Sequence, residues 1–386
     1  MRFASRSDFG DTASAYGEAL ARARSQQGFL DLTVSNPTRC GFAYPDSIAA
    51  ALGDPSVLHY DANSLGMLTA REAISQLYAE NYSALVSPDN ILLTASTSEA
   101  YGYLLRLFCE PGDAILVPSP SYPLFDLLAR LHDVELIPYP LVYHDGWQID
   151  PSSLAEAVTP RTRAIVAIHP NNPTGHYCST ADREALFTVA REHDLPLVID
   201  EVFLDYKVES GQQPSFAALH SDVLTFVLGG LSKLLALPQM KLAWTLVCGP
   251  DNEVAVATER LEIIADTFLS VGTPPQVALP QWLTWRQAMQ SQILGRVAEN
   301  LREVDLAIAG TSISRLKVEG GWAVVLRIPA NDDDKTVAIR LLEEEGIAVH
   351  PGSLYGFPER GWLVLSLLSQ VDAFRDGFQR FAAAVS

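Results

Sequence analysis

From about residue 90 the chain alternates short β-rich runs with helical stretches, and this alternation limits the available folds more than any other feature. NILLTAS precedes EAYGYLLRLFC, AILVP precedes PLFDLLARL, and VELIPY precedes SSLAEAV. RAIVAIHP, DREALFTVAREHD and LPLVIDE continue the series before VLTFVLGG and LAWTLVCG. Parallel neighbours in a sheet need helical crossovers, so the order predicts an α/β domain with a mostly parallel central sheet and helices on both faces. After Pro274 and Pro275 the order breaks, and a helical stretch leads to LKVEGG, WAVVLRI, IAVH and WLVLSLL, mixed with the helix KTVAIRLLEEEG. Such non-alternating order marks a smaller α+β lobe, with the N-terminal arm packed against it. The expected division is 1–49 for the arm and part of the small lobe, 50–275 for the large lobe, and 276–386 for the C-terminal lobe.

Composition matters here for what it excludes. A hydrophobic content of 48 % over 386 residues is enough for a large core. The formal charge of −19 repels nucleic acid and anionic membrane, leaving small molecules or proteins as partners. No run approaches the roughly 18 apolar residues of a membrane span, and MRFASRSDFGDTASAYGEAL lacks the apolar centre of a signal peptide, so a cytoplasmic protein is expected. Cys40, Cys109, Cys178 and Cys248 are isolated, without CxxC or a nearby His at metal spacing, which predicts reduced thiols, no disulfide and no metal site.

Ligands of open α/β sheets bind beyond the carboxyl ends of the strands, and the informative residues fall there. TASTSEA puts Thr97 and Ser98 at a helix start, where unpaired N–H groups and the helix dipole attract phosphate; taken alone, these letters favour a plain helix cap, and the phosphate reading gains from its companions. HPNNPTG is a tight turn whose amides, Asn172 among them, can serve a ring oxygen. Asp200 ends the apolar run LPLVID, where burial raises a carboxyl pKa unless a cation pairs with it. Tyr122 in PSPSYP is either core or a lid on a planar ligand. GGLSKLLALPQMKLAW places Lys233 and Lys241 in apolar surroundings, and burial turns a lysine towards its neutral, nucleophilic form. Phosphate, planar ring, pyridinium and aldehyde together describe pyridoxal phosphate.

The chain resembles the class I/II aminotransferases of the fold type I pyridoxal-phosphate enzymes. The resemblance rests on an ordered set of motifs: SNPT, Tyr60 and Gly66 as Y-x5-G, TASTSEA, PSPSYP, NNPTG, DEVF, Lys233 and Lys241 in SK-x7-K, and PGS. It implies that Lys233 forms the Schiff base and moves the proton, and that Asp200 keeps the pyridine nitrogen protonated. Asn172 then bonds the ring hydroxyl and Tyr122 stacks on the ring. Thr97, Ser98, Ser232 and Lys241 hold the phosphate, and Tyr60 reaches it from the second subunit of a homodimer. The implied substrates are an L-amino acid, with a neutral or hydrophobic donor favoured, and a 2-oxo acid. A β-lyase or decarboxylase on the same scaffold is the alternative chemistry, and a non-catalytic cofactor-binding protein the alternative class.

Three departures from the family pattern bear on this reading. Lys241 stands for the commoner Arg, a point charge in place of a bidentate fork. Phe203 stands where many members carry a Tyr that donates to the ring hydroxyl. Val364 occupies the place of the arginine that grips the substrate carboxylate. Asn36 and Arg39 in SNPTRCG and Arg327 in WAVVLRI are the residues left as candidates for substrate binding.

Overall fold

A computed structural model describes residues 3–8, 14–209, 214–219, 222–329 and 331–385. Eight strands form the large sheet: β1 (Ile91–Thr94), β2 (Ala114–Ser119), β3 (Glu135–Tyr143), β4 (Trp147–Ile149), β5 (Thr162–Ile168), β6 (Leu197–Asp200), β7 (Thr225–Gly230) and β8 (Ala243–Cys248). Their spatial order is β1-β8-β7-β6-β5-β2-β3-β4. The run from β7 through β6, β5 and β2 to β3 is parallel. β8 runs antiparallel to both its neighbours, and β4 antiparallel to β3. The central strands are almost wholly buried, which is why RAIVAI, LVID and TFVLGG read as continuous apolar runs instead of alternating ones.

LAWTLVCG is therefore not one more parallel strand. The segment from β7 to β8 holds only the short helix Leu231–Leu234 and a turn at Pro238–Met240, too little for a crossover, so the chain doubles back.

The small lobe carries a four-stranded sheet in the order β9-β10-β12-β11, with β9 Ser314–Arg315, β10 Ala323–Arg327, β11 His350–Pro351 and β12 Trp362–Ser366. LKVEGG is not a strand: pairing is confined to Ser314–Arg315 just before it, and Gly320 makes a single bridge to Lys207. IAVH divides, with Ile347–Ala348 pairing in parallel with Leu30–Asp31 while His350 joins β11. The arm is also fastened by the Tyr16 hydroxyl donating to the Val349 carbonyl at 2.8 Å and by Arg22 on Glu343 at 2.8 Å. The 23-residue helix Arg286–Ile308 leads from the large sheet to the small one.

Candidate active site

One cavity of about 470 Å³ opens between the carboxyl ends of β5, β6 and β7 and the face of the small sheet. That volume falls in the range of roughly 300–1,000 Å³ usual for small-molecule sites. It is lined by Thr97, Ser98, Tyr122, Asn172, Asp200, Phe203, Ser232, Lys233 and Lys241, so nine residues singled out in the sequence meet on one surface.

The anion end is built by strand pairing. Thr94 of β1 lies opposite Ala243 of β8, which brings the start of the helix Thr97–Phe108 beside Lys241, two residues before Ala243. The helix is capped one step earlier than its sequence suggests: the Ser96 hydroxyl accepts from the Glu99 N–H at 3.2 Å, and the Glu99 carboxylate accepts from the Ala95 N–H at 2.7 Å. The first-turn N–H groups of Thr97 and Ser98 point beyond the helix end and are left for a ligand.

Asp200 terminates β6 inside the cavity wall. One carboxylate oxygen accepts from the Val202 N–H and the other from the Tyr101 hydroxyl, both at 3.1 Å. Burial pushes its pKa up to about 6, opposed by these two donors and by the charge of Lys233. Lys233 starts from the opposite side of neutrality: burial pulls its amine down to about 8, with Asp200 acting against the shift. Its Nζ sits 5.3 Å from the centre of the Phe203 ring and 5.0 Å from that of Trp322, with no hydrogen-bond partner among the described residues. The lysine backbone is held by the Tyr206 hydroxyl, which donates to the Lys233 carbonyl at 2.5 Å.

The two adjacent asparagines part company. Asn171 is buried, and its amide nitrogen donates to the Pro120 carbonyl at 3.1 Å and to Thr174 at 2.9 Å. Asn172 lines the cavity and makes no hydrogen bond with the described residues. The turn is tied to the small lobe at Gly175, where φ is +71° and a Cβ would lie 2.6 Å from the Gly320 carbonyl oxygen. In return the Gly320 N–H donates to the Gly175 carbonyl at 2.8 Å.

Four of the expected residues lie elsewhere. Asn36 caps a turn, accepting from the Thr38 N–H at 3.1 Å and hydroxyl at 2.8 Å, and Arg39 ends that turn exposed to solvent. Arg327 lies flat on Trp362, 4.1 Å from the ring centre, because residues Arg327 and Trp362 are paired across β10 and β12. None of these three lines the cavity. Tyr60 is 74 % exposed and borders a separate depression with Asn63 and Gly66. Conversely Tyr101, Trp322, His350 and Tyr355 line the cavity without having been singled out. Tyr101 had a readable signal, since it falls four residues after Thr97 on the same helical face.

The donor set fits pyridoxal phosphate: a free helix N-terminus with a lysine for the phosphate, a buried carboxylate for the ring nitrogen, an uncommitted amide for the ring oxygen, and a buried amine with no partner. Among the described residues no group of three or more His, Cys, Asp or Glu side chains could hold a metal. All four cysteines are free, and among the described residues no helix is long and apolar enough to cross a membrane.

The sequence profile of the family described as aminotransferase class I and II matches residues 30–373. Glutamate-pyruvate aminotransferase AlaA of Escherichia coli is 29 % identical over 367 residues, covering 92 % of this chain and 90 % of the relative. Alanine aminotransferase of Mycobacterium bovis is 29 % identical over 343 residues, covering 85 % and 79 %. A crystal structure of an aminotransferase from Escherichia coli superposes with a TM-score of 0.89 at 26 % identity, over 99 % of this chain and 98 % of the other.

Proposed function

The chain belongs to the class I and II aminotransferases, and from that premise we propose how its residues divide the work of a pyridoxal-phosphate-dependent transaminase. When bound, the cofactor supplies an aldehyde carbon for the donor nitrogen and a ring that withdraws electrons from the donor α-carbon. Lys233 would hold that aldehyde through Nζ. With the cofactor bound, Nζ of Lys233 would take and return the donor's α-carbon proton as general base and acid, a role favoured by burial, which pulls the amine down to about 8. Asp200 would keep a proton on the ring nitrogen, Asn172 would donate to the ring oxygen and Tyr122 would lie against the ring. Thr97, Ser98, Ser232 and Lys241 hold the phosphate. Phe203 offers no hydroxyl, so Asn172 alone serves the ring oxygen from this side.

The observation that carries this assignment is a partnerless, depressed-pKa lysine sharing one cavity wall with a buried carboxylate. For the donor, a neutral or hydrophobic L-amino acid is favoured, because Trp322, Ala323, Val364 and Leu365 line the cavity and no arginine does. A second carboxylate on the donor finds no receptor there. The test is a spectroscopic screen of amino donors against the cofactor-loaded protein, with identification of the 2-oxo acid formed. Preference for aspartate or glutamate over every neutral donor refutes the donor assignment, and ammonia release without an acceptor points to a lyase.

Tyr60 is assigned to the cavity of a second copy, in a homodimer. Its exposure, with that of neighbouring Leu58 at 86 %, supports a covered surface there. Sedimentation of Tyr60→Phe and wild type, with cofactor release on dilution as readout, tests the assignment. Four free thiols favour a reducing, cytoplasmic setting.

A further inference from the structure

A donor carboxylate brought into this cavity needs a compensating group, since an unpaired buried carboxylate is too costly. The family position for that group is Val364, which is 2 % exposed and offers nothing polar. Among the described residues of this chain, the basic side chains on the cavity wall are Lys233, Lys241 and His350. The first is committed to the cofactor aldehyde and the second stands at the anion end.

His350 is Val364's direct partner across β11 and β12. Directly paired residues of an antiparallel ladder project from the same face of the sheet with Cβ atoms about 5 Å apart, so the imidazole sits beside the missing arginine's place. Its Nδ1 lies 2.8 Å from the Tyr355 hydroxyl, and Nε2 has no hydrogen-bond partner among the described residues. If the hydroxyl donates to Nδ1, the neutral ring carries its proton on Nε2; the charged ring carries one on each nitrogen. In both forms Nε2–H is a donor.

We propose that His350, oriented by Tyr355, receives the α-carboxylate of the amino donor in this chain. The inference rests on the transaminase reading, and it replaces a permanent charge by a titrating one. Burial holds the His350 ring below its ordinary pKa, with the charge of Asp31 acting in the other direction. Asp31 is itself 3.7 Å from Arg24. The other titratable groups facing the ring are Tyr16, whose hydroxyl bonds the preceding carbonyl of Val349, and Tyr355 with Tyr122 behind it. A bound carboxylate favours the imidazolium, so binding takes up a proton wherever the pH lies between the pKa of the free site and that of the occupied site. Affinity then falls as pH rises through the pKa of the occupied site and levels off below that of the free site.

The probes are 3-methylbutanoate, which has no amino group and cannot react, and the corresponding amide. Calorimetry on the cofactor-loaded protein in buffers of different ionisation enthalpy reads affinity and proton uptake together. The expected result is that the acid binds about tenfold more tightly than the amide with uptake of a large part of a proton. His350→Phe should remove the preference and the uptake, while His350→Gln should keep part of the preference without its pH dependence. The absorbance of the lysine–cofactor bond should be unchanged in both. Equal binding of acid and amide by the wild type overturns the proposal without any variant, as does undiminished proton uptake in His350→Phe. Loss of the lysine–cofactor absorbance in wild type would instead refute the transaminase assignment, so the two failures are separable.

Discussion

The two walls of the cavity are built on different principles. The cofactor wall is a set of loops, each following its own strand: Thr97 and Ser98 after β1, Tyr122 after β2, Asn172 after β5, Phe203 after β6, and Ser232 and Lys233 after β7. Each loop carries its own chemistry and is placed by the common edge of one sheet. The opposing wall is made of Trp322, His350, Tyr355 and Val364: His350 and Val364 meet because β11 and β12 pair in one register, while Trp322 leads into β10 and Tyr355 ends the turn that follows β11. A functional group on the first wall belongs to a motif, whereas one on the second belongs to a pairing.

Removing Lys233 should break the comparison at its strongest point. Lys233→Ala is expected to lower turnover by at least about a thousandfold and to abolish the borohydride-stable link to the cofactor, checked by the mass of the labelled peptide. A reducible link surviving at another residue would move the site off this wall. Asp200→Ala should cost about a hundredfold in kcat with the fold retained, as a ring nitrogen without its proton withdraws electrons poorly. Circular dichroism and single-turnover kinetics decide it, and near-normal rates remove Asp200 from the chemistry.

Phe203→Tyr sharpens the comparison instead of breaking it. A hydroxyl at this position stabilises the ionised ring oxygen, so the absorbance of the lysine–cofactor bond should titrate lower by roughly one pH unit. An unchanged or higher midpoint means that residue 203 does not reach the ring. The smallest effect is expected outside both walls: Arg39→Ala and Arg327→Ala should leave the amino-acid KM within about twofold of wild type, because one is solvated and the other covers Trp362. A tenfold rise in either variant returns the carboxylate to an arginine and contradicts the role given to His350.

What could be read in advance follows the same division. The large sheet and its loops were legible because strand, turn and helix each leave a local pattern, and the turn HPNNPTG or the run LPLVID announces its own end. The reversal at β8 was not, since nothing in LAWTLVCG distinguishes an antiparallel strand from a parallel one; only the short connection before it does. Tyr101 could have been found by counting four residues along a helix from Thr97. His350 could not, because its relevance depends on which residue of WLVLSLL lies opposite, and two strands separated by a turn do not state their register. LKVEGG shows the converse: its apolar start reads as a strand, but it links two strands of the small sheet by a loop whose glycines approach the large lobe, Gly320 bonding Gly175 and Gly321 sitting at φ +85°.

The parallel pairing of Leu30–Asp31 with Ile347–Ala348 joins segments more than three hundred residues apart, and it bears on how the protein is made. All eight strands of the large sheet have been synthesised once Cys248 is added, while the partner of Leu30–Asp31 comes about a hundred residues later. At about 5–20 residues per second, the last strand of the large sheet precedes that partner by roughly 5–20 s. For that interval the nascent chain holds Lys233 without the wall that covers it, and the N-terminal arm waits on the ribosome for a partner still to be translated.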